Sequence, residues 1–248
     1  MSVWVTGDCH GEFNRFATRN FPQLKGMGRE DCVIIAGDCG GVWAGEREDG
    51  HRLDWLEAKP FTTLFVDGNH ENFDLLNAYP EREWHGGRVH EIRPHVLHLK
   101  RGQVFDIGGL SWFTMGGAAS HDIEDGILDP AAPDFERRYW ALRRMNARFR
   151  VLGRSWWSQE MPSAAEYAEA EANLGRAGWC VDCVLTHCAP SGILSQIDRG
   201  YRPDALTDFL ETVRRRCRFS AWFLGHYHTN RIIDGRYILQ WEQISKVE

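Results

Sequence analysis

Five short polar clusters carry residue types suited to metal-assisted chemistry: Asp8-Cys9-His10, Gly37-Asp38, Gly68-Asn69-His70-Glu71, Thr186-His187 and Gly225-His226-Tyr227-His228. They mix hard carboxylate and amide oxygens with imidazole nitrogens, a donor set that suits borderline divalent or trivalent ions such as Mn, Fe, Zn or Co. Residues two apart in an extended segment point the same way, so Asp8 with His10, and His226 with His228, can present paired donors to one centre. The neighbouring glycines let the backbone turn sharply and approach an ion closely. A lone Asp-x-His is commonly a surface turn, so the clusters gain meaning only from a common frame.

That frame is visible in the flanking segments. Val3 to Thr6, Cys32 to Ala36 and Thr63 to Val66 are short apolar runs that each stop at a polar cluster, which predicts buried strands with functional loops at their C-terminal ends. Glu12 to Arg19 and His51 to Ala58 carry apolar residues at helical spacing, so the first third reads as βαβαβ with a largely parallel sheet. Loops of such a sheet gather on one edge, where ligands bind. From His95 to Gly117 the runs alternate and are split by turn glycines, which predicts antiparallel hairpins opening a second sheet. Ser163 and Glu166 fit a capping box for a helix over Ser163 to Ala177. Strands are expected at Cys183 to Thr186, Ala221 to Leu224, Arg231 to Asp234 and Tyr237 to Gln240, with a helix near Pro203 to Arg215. Residues 122–154, acidic first and then arginine-dense, read as an insertion outside the main layers of a single 1–248 domain.

In order and spacing these clusters resemble the signature of the calcineurin-like metallophosphoesterase superfamily: D-x-H, G-D-x-x-D, G-N-H-[D/E], a lone His and G-H-x-H. The resemblance spans residues 8 to 228. It implies an α/β fold, a four-layer αββα sandwich of two mixed sheets flanked by helices. It also implies two metal ions, with Mn, Fe or Zn foremost. One would be held by Asp8, His10, Asp38 and His228, the other by Asp38, Asn69, His187 and His226, with Asp38 bridging. Such a pair of ions can lower the pKa of a shared water and offset charge on attacking and leaving oxygens. The implied activity is hydrolysis of a phosphoric ester, as a phosphatase or phosphodiesterase, with a bridging hydroxide as nucleophile and His70 stabilising or protonating the leaving oxygen.

The chain departs from the protein phosphatases of that superfamily. The second Asp of G-D-x-x-D, which orients the catalytic histidine there, is Gly41, and the phosphate-binding arginines are replaced by Val42 and Asp67. The group that orients His70 is therefore left open. The G-H-x-H ending, the Val66-to-Asp74 run and the path from Gly116 through Ser120 and Asp122 to Trp156-Trp157-Ser158-Gln159-Glu160 look more like uncharacterised bacterial and phage phosphohydrolases.

Several features have a bland reading beside a sharp one. The insert's arginines can grip a phosphate tail or a nucleic-acid backbone, but a solvated helix face paired with Glu124, Asp125, Asp129, Asp134 and Glu136 is the more economical account. Trp156 and Trp157 can stack on a base and are more readily core. His121 lies in a Gly/Ala/Ser loop and can reach a substrate, but an ordinary loop histidine is the more economical account. His85, His90, His95 and His98 have no metal-ligand context and read as ordinary surface or hairpin residues. Cys180-x-x-Cys183 lacks a second pair and reads as buried thiols.

Bulk properties narrow the field further. A formal charge of -6 disfavours a protein that coats nucleic acid or an anionic membrane. Seven scattered cysteines and an N-terminus without an export-type apolar stretch fit a reducing cytoplasm, and no run approaches a membrane span. The expected partner is a phosphoester of unassigned identity. A nuclease acting on nucleic acid, and a non-catalytic metal-binding scaffold, are the alternatives.

Overall fold

The computed structural model describes residues 1–247. Strands β1 (Val3–Thr6) and β2 (Cys32–Ile35) are followed by helix α1 (Glu46–Glu57), β3 (Thr62–Phe65), the short α2 (Phe73–Leu76), β4 (Glu81–Trp84), β5 (Gly87–Arg93) and β6 (Val96–Leu99). Within this first sheet β1, β2, β3 and β6 run parallel, and β5 and β4 extend the β6 edge antiparallel. Next come β7 (Gln103–Ile107) and β8 (Leu110–Met115), then β9 (Ile127–Leu128), α3 (Phe135–Arg144) and β10 (Arg150–Val151). The chain continues through α4 (Ala164–Arg176), β11 (Cys183–Thr186), α5 (Leu194–Ile197), α6 (Ala205–Arg216), β12 (Ala221–Leu224), β13 (Arg231–Ile233) and β14 (Tyr237–Leu239). The last strand, β15 (Ser245–Lys246), returns to pair with β1. The second sheet has the order β13-β14-β12-β11-β8-β7.

Period-two alternation in the central strands explains the layering. In β2, Val33 and Ile35 face an outer cluster with Leu53 and Leu56 of α1, while Cys32 and Ile34 face inward. In β12, Phe223 faces inward, whereas Trp222 and Leu224 face the cluster that includes Leu174 of α4 and Leu206, Leu210 and Val213 of α6. The two inner faces meet through Val5, Ile34, Leu64, Leu97, Phe105, Trp112, Leu185 and Phe223. Strands buried on both faces read as continuous apolar runs because neither face sees water. The result is the four-layer αββα sandwich of two mixed sheets that the resemblance implied.

Four local expectations need correction. Glu12 to Arg19 is not an α-helix but a single turn at Asn14–Phe16. Phe13 and Phe16 bury themselves from that turn, and Arg15 folds back to donate to Thr6 Oγ1, Gly7 O, Asp8 O and Trp241 O. The second sheet begins at β7, because β6 pairs in parallel with β3; alternation reveals a hairpin strand but not the sheet it joins. His90 and His98 are buried, their Nδ1 atoms 3.0 Å apart, and His98 Nε2 lies 3.1 Å from Asp67 Oδ1. Of Cys180 and Cys183 only the latter is buried. The capping box at Ser163 forms as expected. Residues 122–154 hold their own small apolar cluster of Leu128, Phe135 and Val151, with β9 and β10 paired in parallel. Among the described residues no helix is long and apolar enough to cross a membrane.

Candidate metal centre and active site

The C-terminal ends of β1, β2, β3, β11 and β12 open onto one edge of the sandwich, and there the five clusters converge. Asp8 Oδ2 lies 3.0 Å from His228 Nε2 and 3.9 Å from His10 Nε2. His10 Nε2 is 3.2 Å from His228 Nε2 and 3.9 Å from Asp38 Oδ2. On the inner side His187 Nε2 lies 3.4 Å from Asp38 Oδ1, and the His187 and His226 rings are 5.0 Å apart. Asp8-His10-His228 and Asp8-Asp38-His187 each bring three donor atoms within 4.8 Å of one another.

The backbone around these groups is built to aim them. His226 N–H donates to Asp8 Oδ1 (2.9 Å) and His70 N–H to Asp38 Oδ1 (2.8 Å), so one oxygen of each carboxylate is anchored while the other faces the cleft. His187 Nδ1 is tied to Ala36 O at 2.8 Å, which turns Nε2 toward the site as the free donor. Asn69 Nδ2 donates to Ser120 Oγ (3.3 Å), itself bonded to Glu160 Oε2 (2.6 Å), and that chain points Asn69 Oδ1 inward. His10, Asp38, His226 and His228 all adopt positive φ, between 45° and 69°, a left-handed backbone that costs energy and clusters at functional sites.

Three observations fit this donor set to cations. Among the described residues Asn69 Oδ1 is buried without a hydrogen-bond partner, and the buried Asp8 Oδ2 and His187 Nε2 have as near polar neighbours only fellow members of the cluster, His228 Nε2 at 3.0 Å and Asp38 Oδ1 at 3.4 Å, a costly crowding unless another group satisfies them. Donor separations of 3.0 to 3.4 Å match ligands sharing one ion at about 2.1 Å. Gly68 packs so closely on Asp38 and His187 that a Cβ there would meet His187 Nε2 at 2.7 Å. The electrostatics agree. Burial disfavours charge on His187, yet the carboxylates of Asp38 and Asp8 outweigh it and push the imidazole up to about 10. Burial likewise works against an ionised Asp38, but the facing histidines hold its carboxyl well below the usual range. The nearby Cys9 thiol is pushed up to about 12 by burial, which makes it a poor ligand beside these oxygens and imidazoles.

His70 faces the same cleft, its ring 5.4 Å from that of His10. Burial lowers its pKa, against the charge of Asp38. Glu71 turns inward and accepts from Cys39 N–H (2.8 Å) and Gly40 N–H (3.4 Å), pinning the loop that carries Asp38. Burial keeps its carboxyl well above the ordinary value, with the charge of Asp38 adding to the effect. His121 Nε2 lies 2.9 Å from His226 Nε2, so this loop histidine does reach the cluster. His85 sits exposed in the β4–β5 turn, and His95 pairs with Glu57 at 2.7 Å.

A cleft of about 390 Å³ covers the centre, lined by His10, Gly40, Trp43, Arg52, His70 and Arg150. Nothing in the sequence marks Arg52 of α1, and Arg150 is visible there only as one of the insert's arginines, for which a solvated helix face is the preferred reading. Arg150 is held by Asp122, with Nε to Oδ1 at 2.9 Å, and the charge of Asp122 bears on the His70 imidazole. Asp67, at a position where protein phosphatases carry an arginine, turns away from this cleft to a buried pair with Arg101 (Nε to Oδ2, 2.9 Å). Trp157 is core, donating to Asp74 Oδ2 and packing edge-on against Trp43. The insert's acids are only partly matched to its arginines: Glu124 pairs with Arg148, Asp122 with Arg150 and Asp134 with Arg137, while Asp125 and Asp129 accept from backbone N–H groups.

The calcineurin-like phosphoesterase family model matches residues 1–230. The lariat debranching enzyme of Homo sapiens is 29% identical over 149 residues, covering 52% of this chain and 25% of that protein. Its Danio rerio counterpart is 26% identical over 168 residues, 59% of this chain and 28% of that protein. The chain thus matches about a quarter of the length of these curated relatives. With the family model spanning nearly all of its length and the sandwich of that family in place, the chain belongs to the calcineurin-like phosphoesterases.

Proposed function

We propose that the chain hydrolyses a phosphoric diester at a dinuclear metal centre held by Asp8, His10, Asp38, Asn69, His187, His226 and His228. We read residues 1–248 as one metallophosphoesterase unit carrying the 122–154 insert. The observation that carries this reading is the pair of donor sets, Asp8-His10-His228 and Asp8-Asp38-His187, each drawn within 4.8 Å around buried carboxylates, with the unpartnered Asn69 Oδ1 buried on the next loop. Two bound ions would supply water activation and charge neutralisation. The chain's own groups do the rest. Arg52 and Arg150 grip the non-bridging phosphate oxygens, Arg as a planar fork suited to that task. His70 delivers a proton to the leaving oxygen, the charges of Asp38 and, more weakly, Asp122 favouring its protonated form against the lowering by burial and Arg150. The similarity to lariat debranching enzymes, whose name describes cleavage at a branched chain, favours a diester over a monoester.

The test is hydrolysis of bis(p-nitrophenyl) phosphate and p-nitrophenyl phosphate with Mn, Fe or Zn supplied, in the wild type and in His187→Ala and His70→Ala. The expected result is turnover that prefers the diester, abolished by His187→Ala and reduced about 10²- to 10⁴-fold by His70→Ala. Full activity in His187→Ala would remove the dinuclear reading, and absence of turnover with every metal would favour a non-catalytic scaffold.

A further inference from the structure

Beside the catalytic cleft the insert forms a second cavity of about 570 Å³, and Arg150 lines both. The larger cavity is walled by Tyr139, Arg143, Arg148, Phe149 and Arg154 together with Arg150. Its volume lies within the range of roughly 300 to 1,000 Å³ that small-molecule sites occupy. Four guanidinium groups on one concave wall is an unusual concentration in a chain of net charge -6. Arg148 and Arg150 are paired with Glu124 and Asp122, whereas Arg143 and Arg154 make no ion pair among the described residues. A solvated helix face would distribute its charges outward. Here they line a pocket shared with Asp122, Asn146 and Ser155 and with the half-buried aromatic pair Tyr139 and Phe149, whose ring centroids are 5.6 Å apart. Arginine forks with an aromatic surface are the chemistry that binds a phosphate and a base together.

We propose that this cavity holds a second nucleotide unit of the substrate, adjoining the one whose ester is cut, its phosphate on Arg143 and Arg154 and its base against Tyr139 and Phe149. The proposal rests on the reading of the catalytic cleft as a phosphodiester site, because Arg150 is then the wall shared by two successive phosphates. Such a unit can belong to a single-stranded nucleic acid or to a dinucleoside polyphosphate, which present the same chemistry.

Binding of the full chain in EDTA to a fluorescent decathymidylate and to a fluorescent dinucleoside tetraphosphate, read by anisotropy across a salt series, separates these sources and does not depend on turnover. The variant is Arg143→Ala/Arg154→Ala, two exposed positions, with its fold checked by circular dichroism. The expected result is that at least one ligand binds the wild type and binds the variant about tenfold more weakly or worse. For the oligonucleotide the salt slope should also become shallower, by about 0.7 to 1.4. With metal restored, kcat/KM for that ligand should fall relative to kcat/KM for bis(p-nitrophenyl) phosphate. Equal affinity of both proteins for both ligands, or no binding by the wild type, overturns the cavity's role. Failure to hydrolyse bis(p-nitrophenyl) phosphate would instead overturn the catalytic reading while leaving the binding result intact.

Discussion

Replacing Gly68 by Ala should disable the centre without removing a single donor. A Cβ at this position would sit 2.6 Å from Asp38 N and 2.7 Å from His187 Nε2, and closer still to Asp38 Oδ1. Ordinary van der Waals contact begins near 3.4 Å, so His187 must retreat by about 0.7 Å, beyond the roughly 0.5 Å within which a site's geometry has to be held. Both His187 and Asp38 are fully enclosed, and Ala36 O and His70 N–H fix their far sides, so neither can swing clear cheaply. Overpacking of this kind costs about 1 to 3 kcal/mol of stability, and a misplacement approaching 1 Å costs about 10²-fold in rate. The assay is metal content after dialysis, together with diester hydrolysis at saturating Mn and a thermal melt. Gly26→Ala is the control, since among the described residues a Cβ there meets nothing within 4 Å. A Gly68→Ala protein that retained two metals and wild-type turnover would refute the claim that these side chains enclose the working centre.

Two further outcomes concern stability. Asp67→Ala leaves the nearly fully buried Arg101 guanidinium with only the more distant Glu166 carboxylate and the carbonyls of Gln159 and Glu160, and His98 without its acceptor, so urea unfolding should show a loss of about 3 kcal/mol; a loss below about 1 kcal/mol would show that the pair is not an anchor. Glu211 accepts from Arg214, Arg215 and Gly192 N–H, and hydrogen bonding to Arg214, outweighing burial, leads in bringing its carboxyl down from the ordinary 4.5 to about 2. A depressed carboxyl contributes stability that is full above about pH 4.5 and is lost as pH falls toward 2, on the order of 1 kcal/mol given the solvent around Arg215. Melting temperatures of wild type and Glu211→Gln should therefore converge between pH 4.5 and 2; a constant gap over that window would contradict the assignment.

The convergence of the polar clusters at the ends of the parallel strands is legible because residue type, glycine spacing and the apolar runs before them all agree, as Val33, Ile34 and Ile35 leading to Asp38 illustrate. What the sequence hid were relations across the fold. Nothing local marks Arg52 or Arg150 as neighbours of His70, because one lies on a helix and the other follows 80 residues later in an insert. Alternation at His90 and His98 is compatible with either face, and only the pairing of β6 with β3 brings His98 to Asp67. Asp67 itself reads as a missing arginine until Arg101 is seen to occupy the space behind it. Gly41 reads as a missing acid, while Asp122, remote in sequence, brings a carboxylate charge to bear on His70.

The central claim is that Asp38 joins two metal ions in a diester-cleaving site. Titrating metal-free protein with Mn while following both bound metal and bis(p-nitrophenyl) phosphate turnover, in wild type and Asp38→Asn, addresses it most directly. Activity in the wild type should rise to saturation at two ions per chain, and Asp38→Asn should bind fewer ions and lose turnover by about 10³-fold or more. Saturation at one ion, or an Asp38→Asn protein as active as the wild type, would contradict the account.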